Sequence, residues 1–367
     1  MKIYLIGQKG IPSISGGVEK HVEDLSSCLA RQGHEVFVYT RFNYTSRKLK
    51  EYKRVRLIPL PSLPTKHLDA ISHTFFACLH VIFKRKVDVV HFHSIGPCFW
   101  LWLVKLFKPR TKVVATFHSQ CYHHQKWGRL ARLSLKIGER VCVKYSDEIV
   151  VVSKVLKTYV KEKYGRDAHY IPNGVPPASF FPPDSINKNW GLGEKDYILS
   201  VSRLVRHKGI HYLIKAFKGL DTDKKLVIVG DSANTDDYVA EVKELAKDDK
   251  RIILTGVQSG VVLKELFTNA YAFAQPSESE GLSIALLESM SYSLPVVSSD
   301  IKENKEALAD GAVFFENKNY KDLREKLKYI LERPDLAKEL GEKNKLRASQ
   351  EYSWENIVQE LVQVYSE

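Results

Sequence analysis

Glu280 and Glu288 stand eight residues apart, on either side of a change in sequence character. An apolar β-rich run ends at Ala274, Glu280-Gly281-Leu282-Ser283 reads as a loop, and an apolar helical pattern begins near Ser283. The amides of Leu282, Ser283 and Ile284 then fall at a helix start, where N–H groups lack intrahelical acceptors and attract phosphate. At about 1.5 Å of rise per residue, Glu288 lies little more than one turn along. It can reach a ribose hydroxyl beside such a phosphate, with Glu280 facing the sugar. Two helix-start carboxylates held only by solvent and the helix dipole would look the same in isolation.

A second cluster is Ser202-Arg203-Leu-Val-Arg206-His207-Lys208-Gly209, directly after the run Ile198–Val201. Arg203 falls at a strand's C-terminal end, where open α/β sheets bind ligands. Lys208 and Gly209 open the next helix. A planar guanidinium and a compact ammonium at one helix N-terminus suit a diphosphate, although a solvated basic turn has the same composition. A third is Ser15-Gly16-Gly17, after the first strand, where the glycines let a phosphate approach a helix N-terminus closely. The spacing is not Gly-x-Gly-x-x-Gly and no acid ends the second strand, which argues against dinucleotide binding and a dehydrogenase. His118 ends the run Val113–Phe117 and can serve as a neutral polar contact or a proton acceptor. His91, His93, His118, His123, His124 and the lone Cys121 match no closed zinc spacing, so no metal site is expected.

The elements that must position these residues alternate short apolar runs with helical patterns. Strands are expected over 2–6, 35–39, 55–59, 87–91, 112–117 and 148–152, then over 197–202, 225–229, 252–255, 270–274, 295–298 and 312–314. Helical tracts include 17–32, 65–83, 320–331 and 336–351. Near-continuous apolar strands separated by helices imply parallel sheets covered on both faces. Five Pro and one Gly within 171–183 mark a linker. At 367 residues, two domains are expected.

The chain carries a net charge of +13, but residues 1–170 hold 30 Lys+Arg against 12 Asp+Glu, whereas the remainder holds 26 against 31. The basic half seeks an anionic partner, whether phospholipid, lipid pyrophosphate or nucleic acid. Two aromatic tracts, 75–83 and 99–107, run into Lys84-Arg85-Lys86 and Lys108-Pro-Arg110. They suit an interfacial surface, and equally suit helices packed on a sheet with cations in their last turns. No run reaches the roughly 18 apolar residues of a membrane span. The start lacks the pattern of a signal peptide, and five scattered Cys read as reduced thiols of a cytosolic protein.

In combination, Glu280-Gly-Leu-Ser…Leu-Leu-Glu288-Ser-Met with Pro295-Val-Val, Gly16-Gly17-Val-Glu19, Ile171-Pro-Asn-Gly-Val, Ser202-Arg203-Leu…Lys208-Gly and Tyr352-Ser-Trp354-Glu resemble the retaining family 4 glycosyltransferases, over nearly the whole chain. The resemblance implies an α/β, GT-B architecture: a Rossmann-like acceptor domain over 1–172, a Rossmann-like nucleotide-sugar domain over 173–350, and a C-terminal helix, 351–367, crossing back to the first domain. It places the site in the cleft between the domains. It implies that Arg203 and Lys208 neutralise the donor diphosphate, that Glu280 contacts the donor sugar and Glu288 the ribose, and that Gly17 lies under the phosphates beside Gly16. Leu282, Ser283 and Ile284 offer amides, Val257 touches the base, and His118 lies near the transferred sugar. Gly281-Leu282-Ser283 departs from the family's frequent Gly-Phe-Gly, which leaves the donor open.

The implied substrates are a nucleotide-diphosphate sugar, a UDP-sugar by family frequency, and a lipid-linked or polysaccharide acceptor of cell-envelope glycan synthesis. No cofactor and no metal are implied. The implied location is cytoplasmic, peripheral on the inner membrane face, with the basic domain against anionic lipid. Trp127, Arg129 and Arg132 fall on the acceptor side. Two other readings use the same residues: a nucleotide-sugar 2-epimerase, which needs no acceptor, and a basic nucleic-acid-binding protein, which lacks aromatic RNA motifs here.

Overall fold

The computed structural model describes every residue except 15, 66, 67, 121, 123–127 and 234. Of the residues singled out above, Ser15, Cys121, His123, His124 and Trp127 therefore lie outside the described residues. The chain divides into two compact units, one comprising Met1–Gly174 with Trp354–Glu367 and the other Val175–Ser353.

The first unit is built on β1 (Lys2–Ile6), β2 (Glu35–Arg41), β3 (Glu51–Tyr52), β4 (Val55–Leu60), β5 (Val89–His93), β6 (Lys112–Phe117), β7 (Glu148–Val151) and β8 (His169–Tyr170). Their order is β3-β4-β2-β1-β5-β6-β7-β8, parallel throughout except that β3 pairs antiparallel with β4. Helix Gly17–Arg31 covers one face together with helix Trp354–Ser366. The core there joins Ile3, Leu5, Val22, Leu25 and Leu29 to Trp354, Ile357 and Leu361. Gly174 is required at the end of this unit, because a Cβ there would stand 2.4 Å from the Trp354 indole. Helices Asp69–Ile82, Leu101–Phe107 and Arg129–Tyr145 cover the other face, around a core containing Cys78, Leu101, Val104 and Cys142.

The second unit holds β9 (Tyr197–Val201), β10 (Lys225–Val229), β11 (Ile252–Gly256), β12 (Ala272–Gln275), β13 (Val296–Ser299) and β14 (Ala312–Phe315), all parallel in the order β11-β10-β9-β12-β13-β14. Two apolar clusters, one on each face, bury Ile198, Leu213, Phe217 and Leu327 on one side and Leu199, Phe267, Leu287 and Met290 on the other. The central strands β9 and β12 are adjacent, so the loops that follow them lie side by side.

The elements differ from the sequence expectation in ways with physical causes. The strand expected over 87–91 is Val89–His93: His91 and His93 are fully buried within the sheet, so their polarity does not end the run. The strand expected over 270–274 is Ala272–Gln275, again because a buried polar residue, Gln275, continues it. Strands β3 and β8 have two residues each, too few for an alternation to register. Within the tract expected over 65–83, the helix among the described residues is Asp69–Ile82. The unit boundary falls after Gly174 rather than 172. The C-terminal helix starts at Trp354, with Tyr352 buried in the second unit's core and Trp354 in the first's.

Candidate functional site

The loops after β9 and β12 are locked together by backbone. The amide of Glu278 donates to the carbonyl of His207 at 2.7 Å. Gly209 has φ +70°, and a Cβ there would stand 1.9 Å from the carbonyl oxygen of Pro276. Only glycine permits both the left-handed conformation and the close approach. Ser299 Oγ, at the end of β13, donates to the carbonyl of Ser277 at 2.6 Å, and Asn304 Nδ2 in turn donates to Ser299 Oγ at 3.0 Å. Three neighbouring strand ends thus form one scaffold.

On this scaffold Lys208 Nζ donates to Glu280 Oε1 at 2.5 Å, with side-chain exposures of 14% and 9%. Gln275 Nε2 donates to the same Oε1 at 2.8 Å and to Ser277 Oγ at 3.1 Å. Glu280 is thereby fixed by a cation and an amide. Glu278, two residues earlier, accepts from Tyr212 and pairs with Lys318. Glu303 is a further carboxyl close by: burial raises its pKa first, and the charge of Glu280 adds to that.

Arg203 follows β9, where Ser202 donates its amide to Val229 at the end of β10. Gly230, with φ +139°, allows that approach, since a Cβ would meet the Ser202 carbonyl oxygen at 1.8 Å. Helix Ile284–Ser291 begins immediately after Ser283, whose side chain accepts from the amide of Leu286. This accounts for the serine where the resembled family has glycine, because a serine N-cap satisfies a donor that glycine would leave open. The cap takes the Leu286 amide, while the amides of Ile284 and Ala285 have no acceptor within the helix. Glu288 sits in the second turn of this helix. Val257, 49% exposed, follows β11 at the sheet edge, with β10 between it and β9. The structure therefore brings Lys208 and Glu280 together, sets Arg203 and the Ser283 cap on the adjoining strand ends, and leaves Val257 apart.

In the first unit, Gly16 has φ +105° and precedes helix Gly17–Arg31. Glu19 folds back over that helix start, where a Cβ on Gly16 would meet its Oε2 at 2.2 Å, and its Oε1 accepts from the Lys9 amide. His118 is 8% exposed, and its Nε2 lies 3.3 Å from His93 Nδ1. The rings of His21 and His118 meet edge-on at 4.8 Å between centroids. One ring nitrogen from each of His21, His93 and His118 lies within 4.8 Å of the others. Burial, and then the neighbouring histidines, hold the His118 pKa well below the ordinary value, so the ring is neutral near pH 7. His91 is occupied otherwise, hydrogen-bonded to Tyr365 and Thr116 at 2.7 Å each.

Two family models match the chain, one described as Glycosyltransferase Family 4 over residues 15–179 and one as Glycosyl transferases group 1 over residues 184–347. The chain is a family 4 glycosyltransferase of the GT-B fold. It is similar to an uncharacterized glycosyltransferase of Methanocaldococcus jannaschii, 26% identical over 396 residues that cover 100% of this chain and 98% of the other. It is also similar to the alpha-monoglucosyldiacylglycerol synthase of Streptococcus pneumoniae, 26% identical over 318 residues covering 81% and 71%. Among solved structures, Anabaena HepE in complex with UDP and glucose superposes with a TM-score of 0.83 at 18% identity, covering 100% and 99% of the two chains. No helix among the described residues of this glycosyltransferase is long and apolar enough to cross a membrane.

Gln275, Glu303 and His21 were not among the residues the sequence singled out, and His93 was weighed there only as a metal ligand. Gln275 carried one signal, an amide at the end of an otherwise apolar strand. Glu303 and His21 carried none, since their roles depend on which elements pack together.

Proposed function

We propose that this glycosyltransferase moves a sugar from a UDP-sugar to a hydroxyl of a lipid-linked or polysaccharide acceptor of the bacterial cell envelope, with retention of anomeric configuration and without a metal ion. The observation that carries the reading is the Lys208–Glu280 contact on two abutting strand-end loops, beside Arg203 and a helix start. As the bond from the sugar's anomeric carbon to the diphosphate breaks, its electron pair goes to the diphosphate. Lys208, Arg203 and the amides of Ile284 and Ala285 stabilise that charge, the task a divalent cation performs in metal-dependent transferases. Lys208 exchanges Glu280 for phosphate, and Gln275 keeps Glu280 aimed at the sugar. The acceptor oxygen attacks from the same face, and its proton passes to the departing phosphate. No protein nucleophile is required, in contrast to retaining hydrolases. His118, neutral, hydrogen-bonds the sugar.

UDP is supported by the ligand in the Anabaena HepE structure, and a lipid acceptor by the name of the pneumococcal relative. The basic first domain favours work at an anionic membrane surface on the cytoplasmic side. Transfer of labelled sugar is measured for the parent, Glu280→Ala and Arg203→Ala. Both variants should fall at least about a hundredfold, and parental rates in both would refute the site. A melting-temperature panel with UDP, GDP, dTDP and CDP reads the base, since a bound ligand stabilises by mass action. Isomerised donor without acceptor would mark an epimerase.

A further inference from the structure

We infer that helix Arg129–Tyr145 is the element by which this protein docks on an anionic bilayer. It extends the proposed membrane reading to one surface and one partner. The rotation of the helix is fixed from inside. A Cβ on Gly138 would stand 2.2 Å from the Ile95 carbonyl oxygen, and Cys142 and Val143 are buried beside it. The opposite face therefore cannot turn inward. It carries Leu130, Leu133 and Ile137, at 84%, 54% and 38% exposure. Interleaved with them are the exposed Arg129, Arg132, Lys136, Arg140 and Lys144, none of which has an ion-pair partner among the described residues. The helix's one acid, Glu139, is fully buried and accepts from Tyr159, Lys163 and Tyr164. The outward face thus has apolar residues and cations and no anion.

The neighbouring helices on the same side of the sheet continue the pattern at their ends. Phe83, Leu106 and Phe107 are 82%, 63% and 61% exposed, beside the exposed Lys84, Arg85 and Lys86. Lys108 Nζ donates to the Lys84 carbonyl and ties those two ends together. Charge complementarity selects an anionic partner. The exposed leucines and phenylalanines select a bilayer over a soluble polyanion, because a polyanion offers them no apolar phase. In such a seat the Lys and Arg stems lie along the interface with their heads at the lipid phosphates.

The test is flotation of the full chain with vesicles of phosphatidylcholine alone or with 30 mol% phosphatidylglycerol (about one anionic lipid in three, enough to set up the surface attraction). The parent should bind the anionic vesicles at least about tenfold better, with binding weakened by salt. Leu130→Gln/Leu133→Gln should lose about tenfold or more. Lys136→Gln/Arg140→Gln/Lys144→Gln should lose on the order of a hundredfold. Both variants should keep the parent's melting temperature and its transfer to a soluble acceptor without vesicles, which separates failure of the dock from failure of the catalytic reading. Parental flotation of the leucine variant, or no flotation of the parent, overturns the inference. So does binding of dextran sulfate that the leucine variant retains in full while vesicle binding is unaffected, which would make the surface a polyanion site.

Discussion

Gln275→Leu removes one amide from a site whose backbone it leaves intact. Gln275 is 3% exposed and lies at the end of β12, so leucine fills a comparable volume without a new exposed group. The lost contacts are the 2.8 Å hydrogen bond to Glu280 Oε1, the one that bears on the carboxylate, and the 3.1 Å hydrogen bond to the neutral Ser277 Oγ. A hydrogen bond to a charged group contributes about 1.5–3 kcal/mol. Before donor binds, Lys208 still holds Glu280 at 2.5 Å. Once the diphosphate draws Lys208 away, Gln275 is the remaining hydrogen-bond donor to the Glu280 side chain among the described residues. The cost therefore falls after donor binding, and about 1.4 kcal/mol corresponds to a tenfold rate. Steady-state kinetics with varied donor should show kcat reduced by about tenfold to a hundredfold, with KM for the donor changed less than about threefold, reading kcat and KM as transition-state and ground-state losses. A melt within a few degrees of the parent's excludes simple unfolding. A parental kcat, or a loss confined to KM, refutes the positioning role of Gln275.

Burial lowers the pKa of His21 to about 4, of His73 to about 4 and of His91 to about 3, all below the unfolded value of about 6.5. The unfolded chain therefore binds more protons below that pH, and stability fully present above about 6.5 is lost as pH falls toward 4. Each fully buried histidine accounts for roughly 2 kcal/mol at pH 5. Thermal melts from pH 7 to 5 should fall for the parent and fall less for His73→Leu, and parallel curves would refute the assignment. Gly209→Ala puts a Cβ against the Pro276 carbonyl at a φ of +70°. It should cost on the order of 2–4 kcal/mol, read by denaturant unfolding, with loss of nucleotide-induced stabilisation. Dialysis against EDTA should leave the transfer rate unchanged, and recovery only on adding Mg²⁺ or Mn²⁺ would contradict the metal-free reading.

Sequence patterns carried the parallel-sheet architecture because a buried parallel strand is apolar on both faces and leaves a continuous run, as in β1, β6 and β10. They also carried Lys208 and Glu280 individually, since each lies just beyond a strand's end. Their mutual contact was not legible, because it depends on Gly209 meeting Pro276 across 67 positions. The runs misplaced β5 and β12 where His91, His93 and Gln275 bring polar groups into the sheet. His91 bonds Tyr365 and Thr116, His93 meets His118, and Gln275 bonds Ser277 and Glu280, tertiary partners that a one-dimensional pattern does not hold. In the sequence Ser283 stood only as a departure from the resembled family's Gly-Phe-Gly, and the structure gives it a capping role through Leu286.

The most direct measurement is a crystal structure of the protein with UDP bound. The diphosphate should lie against the start of helix Ile284–Ser291, with Lys208 Nζ moved from Glu280 to a phosphate oxygen at about 2.8 Å and Arg203 on the same diphosphate. A nucleotide seated elsewhere, with Lys208 still on Glu280, would contradict that placement.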